Sequence, residues 1–359
     1  MSSKSEVLAL GCGGCGNAQL DTLLKLDKRY SGIFFNTNMR EMEGLKTFDR
    51  VRRCFFIPNA DGTGKDRDIA EGYLKTEAPK FAEMISKFVN QKYVVMLSSG
   101  NGGTGSKSVT MLPAVIKRFA PEKVISLMAT MPSLNETDID FKNAIDFWNE
   151  TIERYEKGQI TNLMLVDNNK KGTEVEINQK ALKSFDDIFN IVGGKLDGTD
   201  VSRVLNQRGY NVVLKLNSSI TNLKDAVDKA IDDSVFFVPE NLECSVLVAN
   251  VNTTHFSADE IKEMFPAYEF SKVNETTEGD TIIVLGGCEI PTAPIELIQE
   301  ALKELNEKAK GRVSNHKNLK VIKVGEETNE VKIDASHQGI GVISSQDLND
   351  IFDDDSLWD

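Results

Sequence analysis

A glycine-rich segment, residues 98–106, most constrains the fold of this chain. It follows the apolar run 93–97, which is typical of a buried strand, and it precedes residues 109–118, which have the pattern of a helix. Four glycines in six residues let the backbone approach an anion closely and adopt positive φ, at an entropic cost that a plain turn avoids. The amides of such a loop and the start of the next helix form an anion-binding site. We therefore predict a phosphate site here rather than a flexible connection.

Another glycine loop lies near the N-terminus; it is the first along the chain, and the loop at 98–106 is the second. Residues 8–10 end a short apolar strand, residues 11–18 are Gly-Cys-Gly-Gly-Cys-Gly-Asn-Ala, and a helical pattern follows. Taken alone, the Gly-x-Gly-x-x-Gly spacing fits a dinucleotide-binding fingerprint, which is a weak motif. That fingerprint needs an acid at the tip of the second strand to bind a ribose, whereas residues 36–38 are Asn-Thr-Asn. Two separate phosphate loops favour one ligand with a long phosphate tail.

Composition excludes several classes of protein. A chain of 359 residues, 40% hydrophobic, can bury a large core and is expected to form two domains. A net charge of −13 argues against nonspecific nucleic-acid binding. No apolar run has the length of a membrane span, and the polar first residues do not resemble a signal peptide. Five cysteines, an odd number, suggest reduced thiols in a cytoplasm.

The pair Cys12 and Cys15 has the spacing of half a zinc site or of a redox pair. No second pair of this kind exists, and the three histidines are scattered along the chain. We therefore interpret the two cysteines as small residues that fit beside a phosphate.

Strands and helices alternate along the chain, as expected for a doubly wound parallel sheet. The expected strands of a first region are 7–10, 32–35, 54–57, 93–97, 123–129 and 162–166. Helical patterns lie between them, and a long one covers about 177–192. A second region has strands near 211–216, 244–251 and 281–285 and a last strong helix over 295–309. The sequence therefore predicts an α/β protein with two regions joined by a long helix.

The second glycine loop carries a family resemblance. Residues 101–107, Asn-Gly-Gly-Thr-Gly-Ser-Lys, resemble the signature of the tubulin/FtsZ superfamily of GTPases, with Asn101 and Lys107 departing from it at the two ends. The first loop and residues 36–38 are similar to the corresponding FtsZ segments, and the order of elements over roughly 5–312 matches. The likeness is greatest to the TubZ branch of bacterial plasmids and phages.

The resemblance implies a tubulin/FtsZ-like α/β fold. A nucleotide-binding domain with a doubly wound parallel sheet is expected at 1–175, followed by a central helix and catalytic loop at 176–200. A C-terminal α+β activation domain is expected at 201–313, and an extension with an acidic tail at 314–359. The family binds GTP or GDP together with Mg²⁺, whose ligands the sequence does not identify.

By the same resemblance, five segments of the first domain contact the nucleotide. The residues of the two glycine loops are Gly11, Cys12, Gly13, Gly14, Cys15, Gly16, Asn17, Ser99, Gly100, Asn101, Gly102, Gly103, Thr104 and Gly105. The remaining three segments contribute Asn36, Asn38, Gly62, Gly64, Lys65, Pro132 and Glu136. Lys65 either balances phosphate charge or is an ordinary exposed lysine. Pro132 and Glu136 have the spacing of FtsZ's ribose-binding pair, although Asp140 stands where FtsZ has an arginine.

Two amides are expected to bind the guanine edge. In the family, a polar residue after the sixth strand is followed 22 positions later by another on the central helix, and here these are Asn168 and Asn190. An amide both donates and accepts, so two of them can specify guanine. Phe185 is positioned like the aromatic residue that packs on the base. The structural alternatives are a helix-capping Asn168, a solvated Asn190 and a core Phe185.

The catalytic residues are expected in the segment 193–200. FtsZ carries two acids three residues apart in this loop, and Asp197 and Asp200 keep that spacing. By resemblance, the loop reaches the nucleotide of the next subunit, where a carboxylate orients and polarises the attacking water. Asp200 is also a plausible helix cap, and capping and catalysis are compatible.

The resemblance thus implies a cytomotive GTPase that assembles head to tail and hydrolyses GTP at the subunit junction, with plasmid or phage DNA segregation as its expected role in a bacterial cytoplasm. One alternative is a Rossmann-type oxidoreductase that uses the first glycine loop. The other is a nucleotide-regulated scaffold that polymerises without hydrolysis, in which Asp197 and Asp200 are only caps.

The chain ends in an acidic segment, residues 347–359, which holds six aspartates and no lysine or arginine. It is either a disordered, solubilising tail or a short peptide that docks on a basic partner through Phe352 and Trp358. By resemblance to TubZ systems, that partner is a DNA-binding adaptor protein. We expect no direct DNA contact, because the segment is acidic, and no membrane partner.

Overall fold

The computed structural model describes residues 4–58 and 60–315, with side chains described as far as residue 309. The strands are β1 (Val7–Cys12), β2 (Ser31–Asn36), β3 (Cys54–Phe56), β4 (Tyr93–Ser99), β5 (Val124–Met131), β6 (Asn162–Asp167), β7 (Gly209–Leu216), β8 (Cys244–Asn252), β9 (Ala267–Thr276) and β10 (Thr281–Cys288). The helices are α1 (Gly13–Leu26), α2 (Met39–Glu43), α3 (Arg67–Ser86), α4 (Thr104–Phe119), α5 (Asp138–Glu156), α6 (Glu174–Asn190), α7 (Gly198–Asn206), α8 (Leu223–Asp233), α9 (Ala258–Met264) and α10 (Ala293–Asn315).

All ten strands belong to one sheet, in the order β3-β2-β1-β4-β5-β6-β7-β10-β8-β9. The strands from β3 to β7 are parallel. Strand β10 is antiparallel to β7 and β8, and β9 pairs in parallel with β8. The predicted α/β fold with its doubly wound parallel sheet is confirmed.

Two apolar layers cover the sheet because side chains alternate between its faces along each strand. In β1, Leu8 and Leu10 face the layer that includes residues of α3, α4 and α5. Val7 and Ala9 face the opposite layer, formed with residues of α1, α6 and α7. Every residue of β1 is buried, as is typical of a strand in the centre of a parallel sheet.

The parallel strands give the sheet two functionally different rims. The upper rim carries the carboxyl ends of β1, β2, β4, β5 and β6, and the lower rim carries their amino ends. Helix α6 follows β6, so it begins at the upper rim with Glu174 and descends to the lower rim. The two rims determine which residues can share a site.

Two details differ from the sequence-based expectation. Strand β9 was not expected, because most of its residues are polar and partly exposed and its alternation is weak. The sheet is also continuous between the two expected domains, since β6 pairs with β7 through Asn162 and Gly209. The domain boundaries stay a prediction. Within the described residues, no helix combines the length and apolar character of a membrane span.

Candidate functional site

A cleft of about 260 Å³ opens at the upper rim. Five separate segments meet there, at the ends of β1, β2 and β4, in the loop after β3 and at the start of α4. The predicted residues that line it are Cys12, Gly13, Gly14, Cys15, Asn36, Asn38, Gly62, Gly64, Lys65, Ser99, Gly102, Gly103, Thr104 and Gly105. The structure therefore brings both glycine loops into one cleft, as one ligand with a long phosphate tail requires.

Two helix N-termini open into this cleft without side-chain caps. Helix α1 begins at Gly13 and α4 at Thr104, and neither N-cap residue accepts a hydrogen bond through a side chain. In contrast, side chains cap the N-termini of α2, α3, α6, α7, α8 and α9. The first N–H groups of α1 and α4 are thus left for an external acceptor, and the helix dipoles favour an anion there.

The glycines let the two loops interlock. A Cβ on Gly13, whose φ is +71°, would lie 2.9 Å from the Gly105 backbone nitrogen. A Cβ on Gly105 would lie 2.5 Å from the Cys12 carbonyl oxygen. Any larger residue at either position would force the two helix N-termini apart, so the cradle depends on glycine at both.

Several predicted contact residues support the cleft from behind. Gly16 packs α1 against β4, since a Cβ there would lie 2.0 Å from the Leu97 carbonyl oxygen. Gly11 and Gly100 are similarly crowded, by α1 and by Phe147. Asn17 is fully buried and exchanges two hydrogen bonds with the Phe35 backbone. We correct the predicted nucleotide contact of Asn17, because both ends of its amide tie α1 to β2.

The two departures from the family signature have partners of their own. Asn101 donates to Asp140 over 3.0 Å. The Lys107 ammonium forms ion pairs with Glu71 at 2.7 Å and Glu150 at 2.9 Å. These contacts fix the glycine loop to α3 and α5, where the signature has smaller residues.

Charged side chains are scarce in the cleft. Among its described lining residues, Glu41 is the only carboxylate and Lys65 the only cation. Glu41 accepts from the Asn36 amide over 2.8 Å, and its Oε2 lies 2.9 Å from the Cβ position of Gly14. A carboxylate beside a phosphate site is unfavourable unless a cation lies between them. One carboxylate together with phosphate oxygens is a set of ligands that suits Mg²⁺.

Lys65 lines the cleft, and its role toward a phosphate stays a prediction. It has positive φ, at 68°, and its ammonium pairs with the buried carboxylate of Asp140. Burial opposes ionisation of Asp140, but hydrogen bonds from Lys65 and Thr137 hold the pKa of that carboxyl below its usual value. Burial and the nearby Asp140 raise the pKa of Glu136. Glu136 and Pro132 lie in the loop after β5, beside the cleft rather than in its lining.

Two threonines that line the cleft, Thr37 and Thr63, were not among the predicted residues. Thr37 and Thr63 approach the Thr104 hydroxyl to 2.8 Å and 3.4 Å. Both threonines stand next to predicted residues, in the Asn-Thr-Asn and Gly-Thr-Gly segments. Their position inside these segments was the available signal.

The predicted guanine contacts of Asn190 and Phe185 are wrong. Both lie in the last turns of α6, at the lower rim. The intervening Asp186 accepts from Tyr30 over 2.7 Å and pairs with Lys4 at 2.6 Å, and these two residues precede β2 and β1. Asn190 donates to Asp186 over 2.9 Å, and Phe185 is 2% exposed. The core alternative for Phe185 is the one observed.

Three amide side chains, those of Gln19, Asn178 and Asn168, lie at the upper rim. The Gln19 amide donates to Thr130 over 2.7 Å and to Asn178, in the first turns of α6, over 2.8 Å. Asn168 follows β6 at the same rim, as predicted. The side-chain oxygens of Gln19 and Asn168 are buried without a hydrogen-bond partner in the described part of the chain. These acceptors match the N–H groups of a guanine edge.

The segment 193–200 lies at the lower rim. Thr199 lines a groove there with Glu6, Lys92 and Glu122, which stand at the amino ends of β1, β4 and β5. Asp197 is exposed, whereas Asp200 is 5% exposed. The two acids therefore lie at the opposite rim from the cleft of the same chain.

Asp197 and Asp200 form a capping box at the start of α7. Asp197 accepts from the Thr199 and Asp200 amides, and these hydrogen bonds hold its pKa below the usual value. Asp200 accepts from the Asp197 amide over 2.8 Å and from Lys272 over 2.8 Å. A helix cap is thus observed, with Asp197 rather than Asp200 at the N-cap position, and the catalytic role of the two acids stays a prediction.

The fold and the paired glycine loops define a tubulin-like protein, and comparisons with known proteins agree. No protein-family model matches the chain. The chain is 26% identical over 365 residues to the tubulin-like protein TubZ of Clostridium botulinum C phage, covering 98% of this chain and 99% of the relative. The predicted resemblance to the tubulin/FtsZ superfamily is thus confirmed over nearly the whole chain.

Solved structures show the same fold. The C-terminally truncated TubZ of Clostridium botulinum phage c-st aligns with a TM-score of 0.78 and 24% identity, covering 85% of this chain and 99% of that chain. A GTPγS-form protofilament of TubZ from Bacillus thuringiensis serovar israelensis aligns with a TM-score of 0.70 and 15% identity, covering 86% and 94%. These structures place the chain among TubZ-like folds.

Proposed function

We propose that this protein is a GTP-binding and GTP-hydrolysing filament protein whose subunits assemble head to tail. The observation that supports this most is the separation of the cleft at the upper rim from Asp197 and Asp200 at the lower rim. One chain cannot bring them together, but the lower rim of one subunit placed on the upper rim of the next can. Such a heterologous contact does not close on itself, so a filament follows.

In this proposal the cleft holds the phosphates through the free amides of α1 and α4. Lys65 supplies a positive charge beside them. Gln19, Asn178 and Asn168 contact the guanine edge through amides that donate and accept. The Bacillus thuringiensis relative, which was solved as a GTPγS-form protofilament, supports a guanine nucleotide.

Glu41 is the proposed protein ligand of Mg²⁺, because it is the only described carboxylate in the lining. The ion, when bound, offsets the charge of the phosphates. The Asn36 amide holds the Glu41 carboxylate in the cleft.

Hydrolysis is proposed to require the loop 193–200 of the neighbouring subunit. The Asp197 and Asp200 carboxylates orient and polarise a water for attack on the γ-phosphate. The helix cap that they form holds the two carboxylates in fixed positions at the start of α7.

The test is the GTPase rate as a function of protein concentration, with light scattering recorded in parallel. The rate per molecule should be near zero below a critical concentration and should rise with assembly. A rate per molecule that does not depend on concentration contradicts a shared site. Equal affinities for ATP and GTP contradict the guanine assignment.

The capping roles of Asp197 and Asp200 favour a second candidate, a nucleotide-regulated scaffold that polymerises without hydrolysis. Analysis of the nucleotide in aged polymer distinguishes the two. The GTPase predicts accumulation of GDP, and the scaffold predicts that GTP persists.

The acidic segment 347–359 lies outside the described residues. From its composition and the family resemblance, we propose that it recruits a basic, DNA-binding adaptor during plasmid or phage DNA segregation in a bacterial cytoplasm. Deleting it should leave assembly and GTPase activity intact and abolish recruitment to adaptor–DNA complexes. Loss of polymerisation would instead make the segment a filament element.

A further inference from the structure

Strand β9, which the sequence did not predict, contacts the segment 193–206 with one face. Side chains two residues apart on a strand point to the same side of the sheet. Three such residues of β9 hold successive parts of the segment: the Phe270 ring lies 4.4 Å from the Arg203 guanidinium, Lys272 pairs with Asp200, and Asn274 accepts from the Lys195 amide. The acid-bearing loop is therefore seated on this strand.

The fit at Asn274 is tight. Gly194 has positive φ, at +58°, and a Cβ there would lie 2.3 Å from the Asn274 Oδ1. Asn274 accepts from Lys195 over 2.8 Å and donates to Asn250 of β8 over 2.6 Å. The loop conformation is thus fixed by the sheet before the chain reaches Asp197.

Lys272 contacts Asp200 in a way that leaves one carboxylate oxygen unused. Lys272 Nζ and the Asp197 amide both donate to Oδ2 of Asp200, each over 2.8 Å. Among the described residues, no hydrogen bond to Oδ1 is formed. The Asp200 side chain is 7% exposed and that of Lys272 is 36% exposed, so the ion pair is partly shielded from water.

We infer that Lys272 is a positioning residue for GTP hydrolysis, an inference that rests on the proposed function. By holding Oδ2, it turns Oδ1 of Asp200 toward the water at the subunit junction. Because a small displacement of a catalytic group has a large effect on rate, loss of this contact acts on the chemical step. It leaves the nucleotide cleft, which lies at the other rim, unchanged.

The experiment compares Lys272→Met, Lys272→Arg and the parent protein above the critical concentration. Lys272→Met should lower kcat by roughly 10- to 100-fold, with KM and the affinity of the monomer for GTP within about twofold. Lys272→Arg keeps the charge and should restore most of kcat. The matched control is Lys262→Met on α9, which removes an exposed ion pair with Asp259 at 3.6 Å and should change nothing.

A double-mutant cycle with Asp200→Asn tests whether Lys272 acts through Asp200. The double variant should hydrolyse GTP no more slowly than Asp200→Asn alone, because groups acting as a unit are not additive. The inference is wrong if the kcat losses of the two single variants multiply in the double variant, or if Lys272→Met has the parental kcat. A parental rate for Asp200→Asn would instead refute the proposed catalytic loop.

Circular dichroism establishes that each variant folds. Should Lys272→Met not fold, Lys272→Thr takes its place, because threonine suits a strand and its short side chain does not reach Asp200. The same loss of kcat with unchanged GTP affinity supports the positioning role, and a parental kcat overturns it.

Discussion

The site proposed for the guanine base predicts that substitutions at two asparagines of helix α6 have different effects. Asn178 and Asn190 lie twelve residues apart on α6, or about 18 Å along its axis at 1.5 Å per residue. Asn178 holds the Gln19 amide beside the cleft, whereas Asn190 contacts Asp186 at the lower rim. The same substitution, asparagine to alanine, should therefore affect different properties.

Asn178→Ala removes the acceptor that orients Gln19, which also carries a buried, unpartnered oxygen. Loss of a partner that leaves a buried polar group unpaired costs roughly 1–3 kcal/mol. The affinity for GTP should fall by that amount, or about 5- to 150-fold. The affinity for ATP, which has no guanine edge, should change little.

Asn190→Ala removes a hydrogen bond to Asp186 and a long one, of 3.4 Å, to Asp187, and Asp186 keeps its contacts with Lys4 and Tyr30. The free energy of unfolding should fall by at most about 1 kcal/mol, and the affinity for GTP should not change. Fluorescence titration with a labelled GTP and thermal unfolding of the nucleotide-free protein measure the two quantities. Weaker GTP binding by Asn190→Ala, with parental binding by Asn178→Ala, would refute the corrected site.

Three further predictions concern the cleft. Glu41→Gln should reduce the effect of Mg²⁺ on GTP affinity about tenfold or more, measured as the ratio of the GTP dissociation constants in EDTA and in Mg²⁺. The control is Glu43→Gln, an exposed change on the same helix, which should keep the parental ratio. An equal loss in both variants would exclude Glu41 as the Mg²⁺ ligand. Gly105→Ala should abolish GTP binding or folding, because its Cβ would lie 2.5 Å from the Cys12 carbonyl oxygen, whereas Gly44→Ala, with open space around it, should be tolerated in both assays. The Asp140 carboxyl has a lowered pKa in the folded protein, so it contributes stability that is present above its unfolded pKa of about 3.9 and is lost as pH falls through the folded value. The unfolding free energy of Asp140→Asn should thus lie below the parent's at pH 7 and converge with it in acid. A difference between the two proteins that does not depend on pH would contradict the ion pair with Lys65.

Local sequence signals predicted most of the fold. The parallel strands are continuous apolar runs, and the glycine loops have chemistry that is readable from a few adjacent residues. Strand β9 escaped because its polar sequence, Ala-Tyr-Glu-Phe-Ser-Lys-Val-Asn-Glu-Thr, is stabilised by pairing with β8 rather than by its own apolar pattern. Because β9 was not predicted, nothing in the sequence indicated that Lys272 contacts Asp200.

The error at the base site arose from applying the family's spacing without asking at which end of the helix the second asparagine lies. A spacing of 22 residues led from Asn168 to Asn190, but only the first turns of α6 lie at the upper rim. The signal was present in Thr173 and Glu176, whose capping box marks the helix start. That start places Asn178 next to the cleft and Asn190 at the far end.

The central claim is that the loop of one subunit hydrolyses the GTP in the cleft of the next. A variant that carries both Asp197→Asn and Asp200→Asn is loaded with GTP labelled on its γ-phosphate and polymerised alone or with parent protein. Excess unlabelled GTP prevents parental clefts from taking up released label. In the mixture, labelled GTP should be hydrolysed wherever a parental loop faces a variant cleft, and it should persist when the variant is alone. Label that persists equally in both would contradict the shared site.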